Sequence, residues 1–129
     1  MLKADHFAFR VSDMDESIGF YTDVLGLRLM SKQVDHEHQE IFAFLELSGG
    51  NLELLQLLGD NTGDKTPPPV RQPYAPHIAI QTDDVDAMLA KLKHKRVPIV
   101  KGPMEIAGEV RWLYASDPDN NVIEFVQWL

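Results

Sequence analysis

The sequence predicts an α+β fold built from two tandem βαβββ modules. Three observations support this: an internal repeat, one amphipathic helix in each copy, and three strand-like segments after each helix. A chain of 129 residues suits one domain with its own hydrophobic core. We therefore predict a single domain over residues 1–129. Module 1 takes residues 1–58, a linker rich in Gly and Pro takes 59–74, and module 2 takes 75–129.

The repeat has a period of 71 residues. The phrase "HFAFRVSDMD" starts at His6 and "HIAIQTDDVD" starts at His77, and 6 + 71 = 77. Near the end of each copy, "LELLQ" matches "IEFVQ", so that Glu53 aligns with Glu124. The histidine and the glutamate are 47 residues apart in both copies (53 − 6 and 124 − 77). One offset that holds at both ends indicates a duplicated structural unit.

Each copy contains one amphipathic helix after its first strand. In the first copy, Ser12 or Asp13 is a candidate N-cap and Gly26 is the expected stop. In the second copy, Asp83 or Asp84 is the candidate N-cap. The apolar residues at helical spacing are Ile18, Tyr21 and Leu25 in the first helix, and Val85, Leu89 and Leu92 in the second.

The remaining segments of each copy have the character of strands. Residues 4–11 alternate as a first strand, and "LRLMSKQ", "IFAFLEL" and "NLELLQLL" follow the first helix. Their counterparts after the second helix are "PIVKGPM", "VRWLYAS" and "NVIEFVQWL". "SGGN" and "DPDNN" are the expected turns before the last strand of each copy.

Strand alternation predicts a shared face for four polar side chains. Successive side chains point to opposite faces, so bulky residues such as Leu52 and Leu54 face the helix, while Glu53 faces away from it. The same reasoning places His6, His77 and Glu124 on the face away from the helices. If the sheets curve toward each other, the four side chains converge. The expected fold is then a curved mixed sheet around a metal cleft.

Two imidazoles and two carboxylates predict a site for one divalent metal ion. These ligands suit Ni, Zn, Co, Mn or Fe and leave coordination positions for water or for substrate oxygens. The predicted metal ligands are His6, Glu53, His77 and Glu124.

Composition excludes several other classes of protein. The formal net charge is −8, which argues against a nucleic-acid partner, because such binding requires a concentrated basic surface. The chain has no cysteine, so neither disulfides nor thiolate chemistry are expected. Neither a signal peptide nor a stretch long enough to span a membrane is evident. We therefore expect a cytoplasmic protein with a small-molecule substrate, no nucleic-acid partner and no membrane partner.

These motifs resemble the vicinal oxygen chelate superfamily, which includes glyoxalase I, bleomycin resistance proteins and extradiol dioxygenases. The resemblance rests on "DHFAFRVSDMDESIGFYTDVLGLRL", "NLELLQLL", "PHIAIQTDDVDAMLAKL" and "ASDPDNNVIEFVQW". It implies paired βαβββ modules, a homodimer and metal ligands at the four positions named above. Asn120 stands where the family's "DPDG" turn has glycine, and Asn also tolerates the left-handed conformation.

The complete His-Glu-His-Glu set is most similar to that of glyoxalase I. This resemblance implies a metal-dependent lyase or isomerase that abstracts a proton beside a carbonyl from a substrate chelated through adjacent oxygens. It implies Glu124 as the base, Glu53 as the group serving the other face, and Arg10 as a substrate-binding residue. Where glyoxalase I binds glutathione through an asparagine and an arginine, this chain has Leu57 and Pro73.

Two other readings of the same fold remain open. A methylmalonyl-CoA epimerase-like enzyme would use Glu40 as an alternative catalytic carboxylate. A non-catalytic protein that binds small molecules such as drugs would need no metal.

Overall fold

The computed structural model describes residues 1–59 and 73–129. The chain divides into two compact units, Met1–Asp64 and Lys65–Leu129, and each unit contains one βαβββ module. The predicted α+β fold of tandem modules is confirmed. The predicted linker, residues 59–74, lies almost entirely outside the described residues. Among those residues, no helix combines the length and the apolarity required to cross a bilayer.

Module 1 is a mixed four-stranded sheet with a helix on one face. Its strands have the order β1-β4-β3-β2, with β1 parallel to β4 and the other pairs antiparallel. The elements are β1 (His6–Arg10), α1 (Met14–Gly19), a π-helical turn (Phe20–Val24), β2 (Leu29–Asp35), β3 (Glu40–Leu45) and β4 (Asn51–Leu57).

Module 2 repeats this topology. Its strand order is β5-β8-β7-β6, and again the first strand is parallel to the last. The elements are β5 (Ile78–Gln81), α2 (Val85–His94), β6 (Ile99–Ile106), β7 (Val110–Ser116) and β8 (Val122–Trp128).

The helices begin at corresponding residues in the two modules. Asp13, rather than Ser12, is the N-cap of α1, and its Oδ1 accepts a hydrogen bond from the Glu16 amide at 3.1 Å. Asp84, rather than Asp83, is the N-cap of α2, and its Oδ1 accepts from the Ala87 amide at 2.9 Å. These carboxylates satisfy amides that have no partner inside the helix.

The first amide of each helix is bound by a glutamine from the last strand of the same module. The Met14 amide donates to Gln56 Oε1 at 2.7 Å, and the Val85 amide donates to Gln127 Oε1 at 3.0 Å. Each glutamine lies three residues after the glutamate of its strand. The strand that carries the glutamate is therefore tied directly to the start of the helix.

The first helix departs from its predicted form near its C-terminal end. The sequence predicts one helix up to Gly26, but the α-helix ends at Gly19 and continues as a π-helical turn. The Leu25 amide donates to the Phe20 carbonyl at 3.2 Å, as the wider π pattern requires. Gly26 has a φ of 78° and terminates the segment, as the sequence predicted.

The helix-facing sides of the sheets form the cores. Leu52 and Leu54 of β4 are fully buried on the side of α1, and Ile123 and Phe125 of β8 are buried on the side of α2. The predicted alternation is thereby confirmed, because Glu53 and Glu124 lie on the other face of the same strands.

A tight turn before β8 sets the start of the strand that carries Glu124. Asp117 is buried, and its Oδ1 accepts from the amides of Asp119 and Asn121, both at 2.9 Å. Asn120 has a φ of 64°, the left-handed conformation that the sequence predicted for this position.

The N-cap assignment predicts a difference between two adjacent aspartates. Asp84→Ala should lower the free energy of unfolding by about 1 kcal/mol, because the Ala87 amide loses its acceptor. Asp83→Ala removes the same charge from an exposed neighbour and should change stability by less than about 0.5 kcal/mol. Urea denaturation followed by circular dichroism measures both. Equal losses in the two variants would contradict the assignment.

Candidate functional site

Parallel strand pairing places a histidine beside a glutamate in each module. In module 1, β1 pairs with β4 in a register that sets Ala8 opposite Glu53. In module 2, Ala79 is opposite Glu124 in the same way. Each histidine is two residues before that alanine and therefore lies on the same face. We call the pair His6 and Glu53 half-site 1, and the pair His77 and Glu124 half-site 2.

Half-site 1 is open to ligands on one side and anchored on the other. His6 Nε2 lies 3.6 Å from Glu53 Oε1, and the two side chains are 39% and 15% exposed. His6 Nδ1 lies 2.6 Å from Asp5 Oδ2. The carboxylate of Asp5 favours the tautomer with the proton on Nδ1, which leaves the Nε2 lone pair directed toward the glutamate.

Half-site 2 has the same arrangement with a different anchor. His77 Nε2 lies 3.5 Å from Glu124 Oε2, and the side chains are 25% and 18% exposed. His77 Nδ1 donates to the backbone carbonyl of Tyr74. A carbonyl can only accept a hydrogen bond, so Nδ1 carries the proton and Nε2 is the basic nitrogen.

Each half-site has the donor chemistry of part of a metal centre. Metal-binding histidines usually donate their second ring nitrogen to a carboxylate or a carbonyl, as both do here. Two ligands at about 2.1 Å from a shared ion are about 3.0–3.4 Å apart, close to the 3.6 Å and 3.5 Å separations observed. The described residues include no group of three or more His, Asp or Glu side chains suited to a metal ion. Each module thus offers a pair of ligands.

An aromatic ring packs against each histidine, which the sequence did not predict. Phe44 lies edge-on to His6, with ring centroids 5.3 Å apart, and Tyr114 lies edge-on to His77 at 5.4 Å. Phe44 is opposite Glu53 in the register, and Tyr114 is opposite Glu124. The period of 71 conceals this match, because the paired residues are one position further apart in module 2 (124 − 114 = 10, against 53 − 44 = 9).

A pocket lies beside half-site 1 on the same module. It has a volume of about 180 Å³ and is lined by Arg10, Glu40, Leu55, Gln56 and Leu57. Arg10 is opposite Leu55, two residues along β4 from Glu53 and therefore about 7 Å further on. Glu40 is opposite Leu57, about 13 Å along the strand from Glu53. We call this cavity the Arg10–Glu40 pocket.

The charges of half-site 1 favour the protonated form of its histidine. The hydrogen bond with Asp5 raises the pKa of His6 above its ordinary value. Loss of hydration acts in the opposite direction, and the charges of Glu53 and Asp5 add to the increase. A cation bound at Nε2 would be favoured by the same two carboxylates.

The anchor of His6 can be tested in the metal-free protein. Asp5→Asn should lower the pKa of His6 toward its ordinary value, because the hydrogen bond to a full negative charge is the largest cause of the increase. NMR titration of the imidazole carbon-bound protons measures this pKa directly. Asp23→Asn removes the same charge from an exposed position on the π-helical turn after α1 and should leave the His6 pKa unchanged. An unaltered pKa in Asp5→Asn would contradict the assigned anchor.

Several curated proteins and solved structures are similar to this chain over nearly its whole length. A lactoylglutathione lyase of Haemophilus influenzae is 34% identical over 125 residues, which cover 95% of this chain and 90% of that protein. A probable lactoylglutathione lyase of Vibrio cholerae is 32% identical over 127 residues, covering 95% and 88%. The crystal structure of a trypanothione-dependent glyoxalase I from Leishmania major has a TM-score of 0.77 and 30% identity, covering 98% of this chain and 87% of that one.

These relatives confirm the prediction of a lyase-type enzyme and leave its substrate open. Residues 3–125 also match the sequence profile of one protein family. The chain belongs to the glyoxalase/bleomycin resistance protein/dioxygenase superfamily.

Proposed function

We propose that this protein is a metal-dependent, glyoxalase I-like lyase that moves a proton beside a carbonyl group. The observation that carries the proposal is the pairing of a histidine Nε2 with a glutamate carboxylate in each module, at 3.6 Å and 3.5 Å. The similarity to lactoylglutathione lyases supports the reaction class.

His6, Glu53, His77 and Glu124 are proposed to bind one divalent ion together. Two neutral imidazoles and two carboxylates suit Ni, Zn, Co, Mn or Fe and leave positions for two adjacent substrate oxygens. The four ligands can come from one chain or from two chains of a homodimer. When bound, the ion supplies Lewis-acid stabilisation of the negative charge that develops on those oxygens.

The proposed chemistry needs one carboxylate to carry one proton. Glu124 removes the proton from the hydroxyl-bearing carbon next to the carbonyl and returns it to the carbonyl carbon, while the hydroxyl proton passes to the former carbonyl oxygen, so that the substrate is isomerised without any oxidant or reductant. Glu53 is the carboxylate that would transfer a proton on the opposite face of the substrate. The partial exposure of both glutamates, 18% and 15%, lets each carboxylate reach a small molecule.

Substrate binding beside half-site 1 is assigned to Arg10. Arg10 lines the pocket and is opposite a residue about 7 Å along β4 from Glu53, a distance that suits the non-reacting end of a substrate. Glu40 is about twice as far along the strand, which favours a substrate-binding role for it over proton transfer.

The proposal predicts a specific loss of turnover. Glu124→Gln should lower kcat for a hemithioacetal of methylglyoxal by about 100-fold or more, because an amide cannot accept the proton. Glu53→Gln should lower kcat for the same substrate by a similar factor, because it removes the carboxylate on the opposite face of the substrate and a negatively charged ligand of the proposed ion. The assay is run at saturating metal, with bound metal measured in every sample. Glu109→Gln removes a carboxylate from the exposed β6–β7 turn and should retain wild-type activity.

Unchanged turnover in both active-site variants would contradict the proposal. The two alternative functions predict different results. An epimerase-like enzyme would exchange deuterium at the α-carbon of an acyl-CoA and leave hemithioacetals unreacted. A binding protein would process neither substrate.

A further inference from the structure

The histidines of the two half-sites belong to short strands at the edge of their sheets. His6 begins β1, which has five residues and is the outermost strand of its sheet, beside β4. His77 directly precedes β5, which has four residues and is the outermost strand of its sheet, beside β8. We call β1 and β5 the edge strands. Short elements at the margin of a fold open at a low free-energy cost, so a contact that holds an edge strand also holds its histidine beside the glutamate.

A glutamine stands at the far end of each parallel strand pair. The paired residues of β1 and β4 end at Leu55 on β4, and Gln56 is the next residue. The paired residues of β5 and β8 end at Val126 on β8, and Gln127 is the next residue. The two glutamines therefore occupy the same place relative to the strand pairing in both modules.

Each glutamine binds the chain that has just left the edge strand. Gln56 Oε1 accepts from the Met14 amide at 2.7 Å, and Gln127 Oε1 accepts from the Val85 amide at 3.0 Å. Each amide belongs to the first residue of its helix and has no acceptor inside that helix. The hydrogen bond therefore fastens the turn between edge strand and helix to the strand that carries the glutamate.

A backbone hydrogen bond lies next to each glutamine contact. The Val11 amide donates to the Leu55 carbonyl at 2.8 Å, and the Thr82 amide donates to the Val126 carbonyl at 2.9 Å. Val11 directly follows β1, and Thr82 directly follows β5. Both the backbone bond and the glutamine bond must break before the edge strand can slide or separate at this end. The glutamine therefore raises the free energy of that opening.

We propose that Gln56 and Gln127 are positioning residues for the histidines of the candidate metal site. Each glutamine keeps the edge strand of its module in register, so that the histidine Nε2 stays 3.6 Å or 3.5 Å from the glutamate oxygen. A spacing of three residues puts each glutamine on the opposite face of the strand from its glutamate, so it acts through the backbone. The inference rests on the proposed function, because that function requires both side chains to bind one metal ion.

The test separates positioning from general stability in module 2. Gln127→Leu removes the acceptor of the Val85 amide, whereas Gln127→Glu keeps an oxygen acceptor at the same place. Asp84→Ala is the matched control, because it removes the acceptor of the Ala87 amide in the same helix and keeps the glutamine contact. Circular dichroism checks the folding of every variant. If Gln127→Leu does not fold, Gln127→Asn, whose side chain is one methylene shorter than glutamine, takes its place.

Two quantities are measured for each variant. Amide hydrogen exchange of β5, followed by NMR in the metal-free protein, should be about tenfold faster in Gln127→Leu, as expected for the loss of one hydrogen bond. The Kd for Ni²⁺, measured by competition with a chromophoric chelator, should rise about tenfold, as for other residues that support a metal ligand. Gln127→Glu should keep both wild-type values. Asp84→Ala should keep the wild-type Kd, although it lowers the free energy of unfolding to a comparable extent.

The inference is overturned if Gln127→Leu leaves either the exchange of β5 or the Kd unchanged, or if Gln127→Glu fails to restore them. It is also overturned if Asp84→Ala raises the Kd as much as Gln127→Leu does, because the loss would then reflect stability alone. Gln56→Leu should produce the same two changes for β1 and for metal binding.

Failure of the lyase proposal gives a different result. A wild type that binds Ni²⁺ and isomerises no hemithioacetal would contradict the lyase, while the two measured quantities decide the positioning role. Normal turnover in the wild type, with both quantities unaffected by Gln127→Leu, would contradict the positioning role alone. A wild type that binds no metal would contradict both.

Discussion

The parallel pairing of the first and last strands of each module is the constraint on which the candidate site depends. It sets Ala8 opposite Glu53 and Ala79 opposite Glu124. Because side chains alternate along a strand, the histidine two residues earlier lies on the same face as the glutamate. A shift of one residue in this register would turn the glutamate into the core beneath the helix. The buried leucines on either side of Glu53 hold the register against such a shift.

One strand of module 1 therefore serves several purposes at once. β4 carries the glutamate of half-site 1, the apolar floor of the adjacent pocket, and the glutamine that binds the first amide of α1. A substrate bound in that pocket would lie along the same rigid strand as the proposed ligand, which favours precise positioning. Module 2 repeats the half-site and the helix contact, but β8 has Trp128 where β4 has Leu57, so the two open faces are chemically different.

Much of this organisation was predictable from the sequence, because a period of 71 residues relates His6 to His77 and Glu53 to Glu124. Strand alternation then assigned their faces. Three features could not be predicted from the sequence, for physical reasons. The aromatic partners of the histidines depend on pairing across strands, and the strand register of module 2 differs by one residue, which removes Tyr114 from the repeat alignment. The anchors, Asp5 and the Tyr74 carbonyl, depend on local backbone geometry. The identity of the N-cap among adjacent candidates, Asp84 over Asp83, was also decided by that geometry.

The measurement that tests the central claim most directly is metal content by elemental mass spectrometry. Wild-type protein is compared with His6→Ala, His77→Ala and the control His94→Ala, which alters an exposed histidine at the end of α2. If both half-sites bind one ion, the wild type and the control should carry about one metal ion per chain, and both active-site variants should lose most of it. Wild-type metal content in either variant, or no metal in the wild type after incubation with nickel, zinc and manganese, would contradict the account.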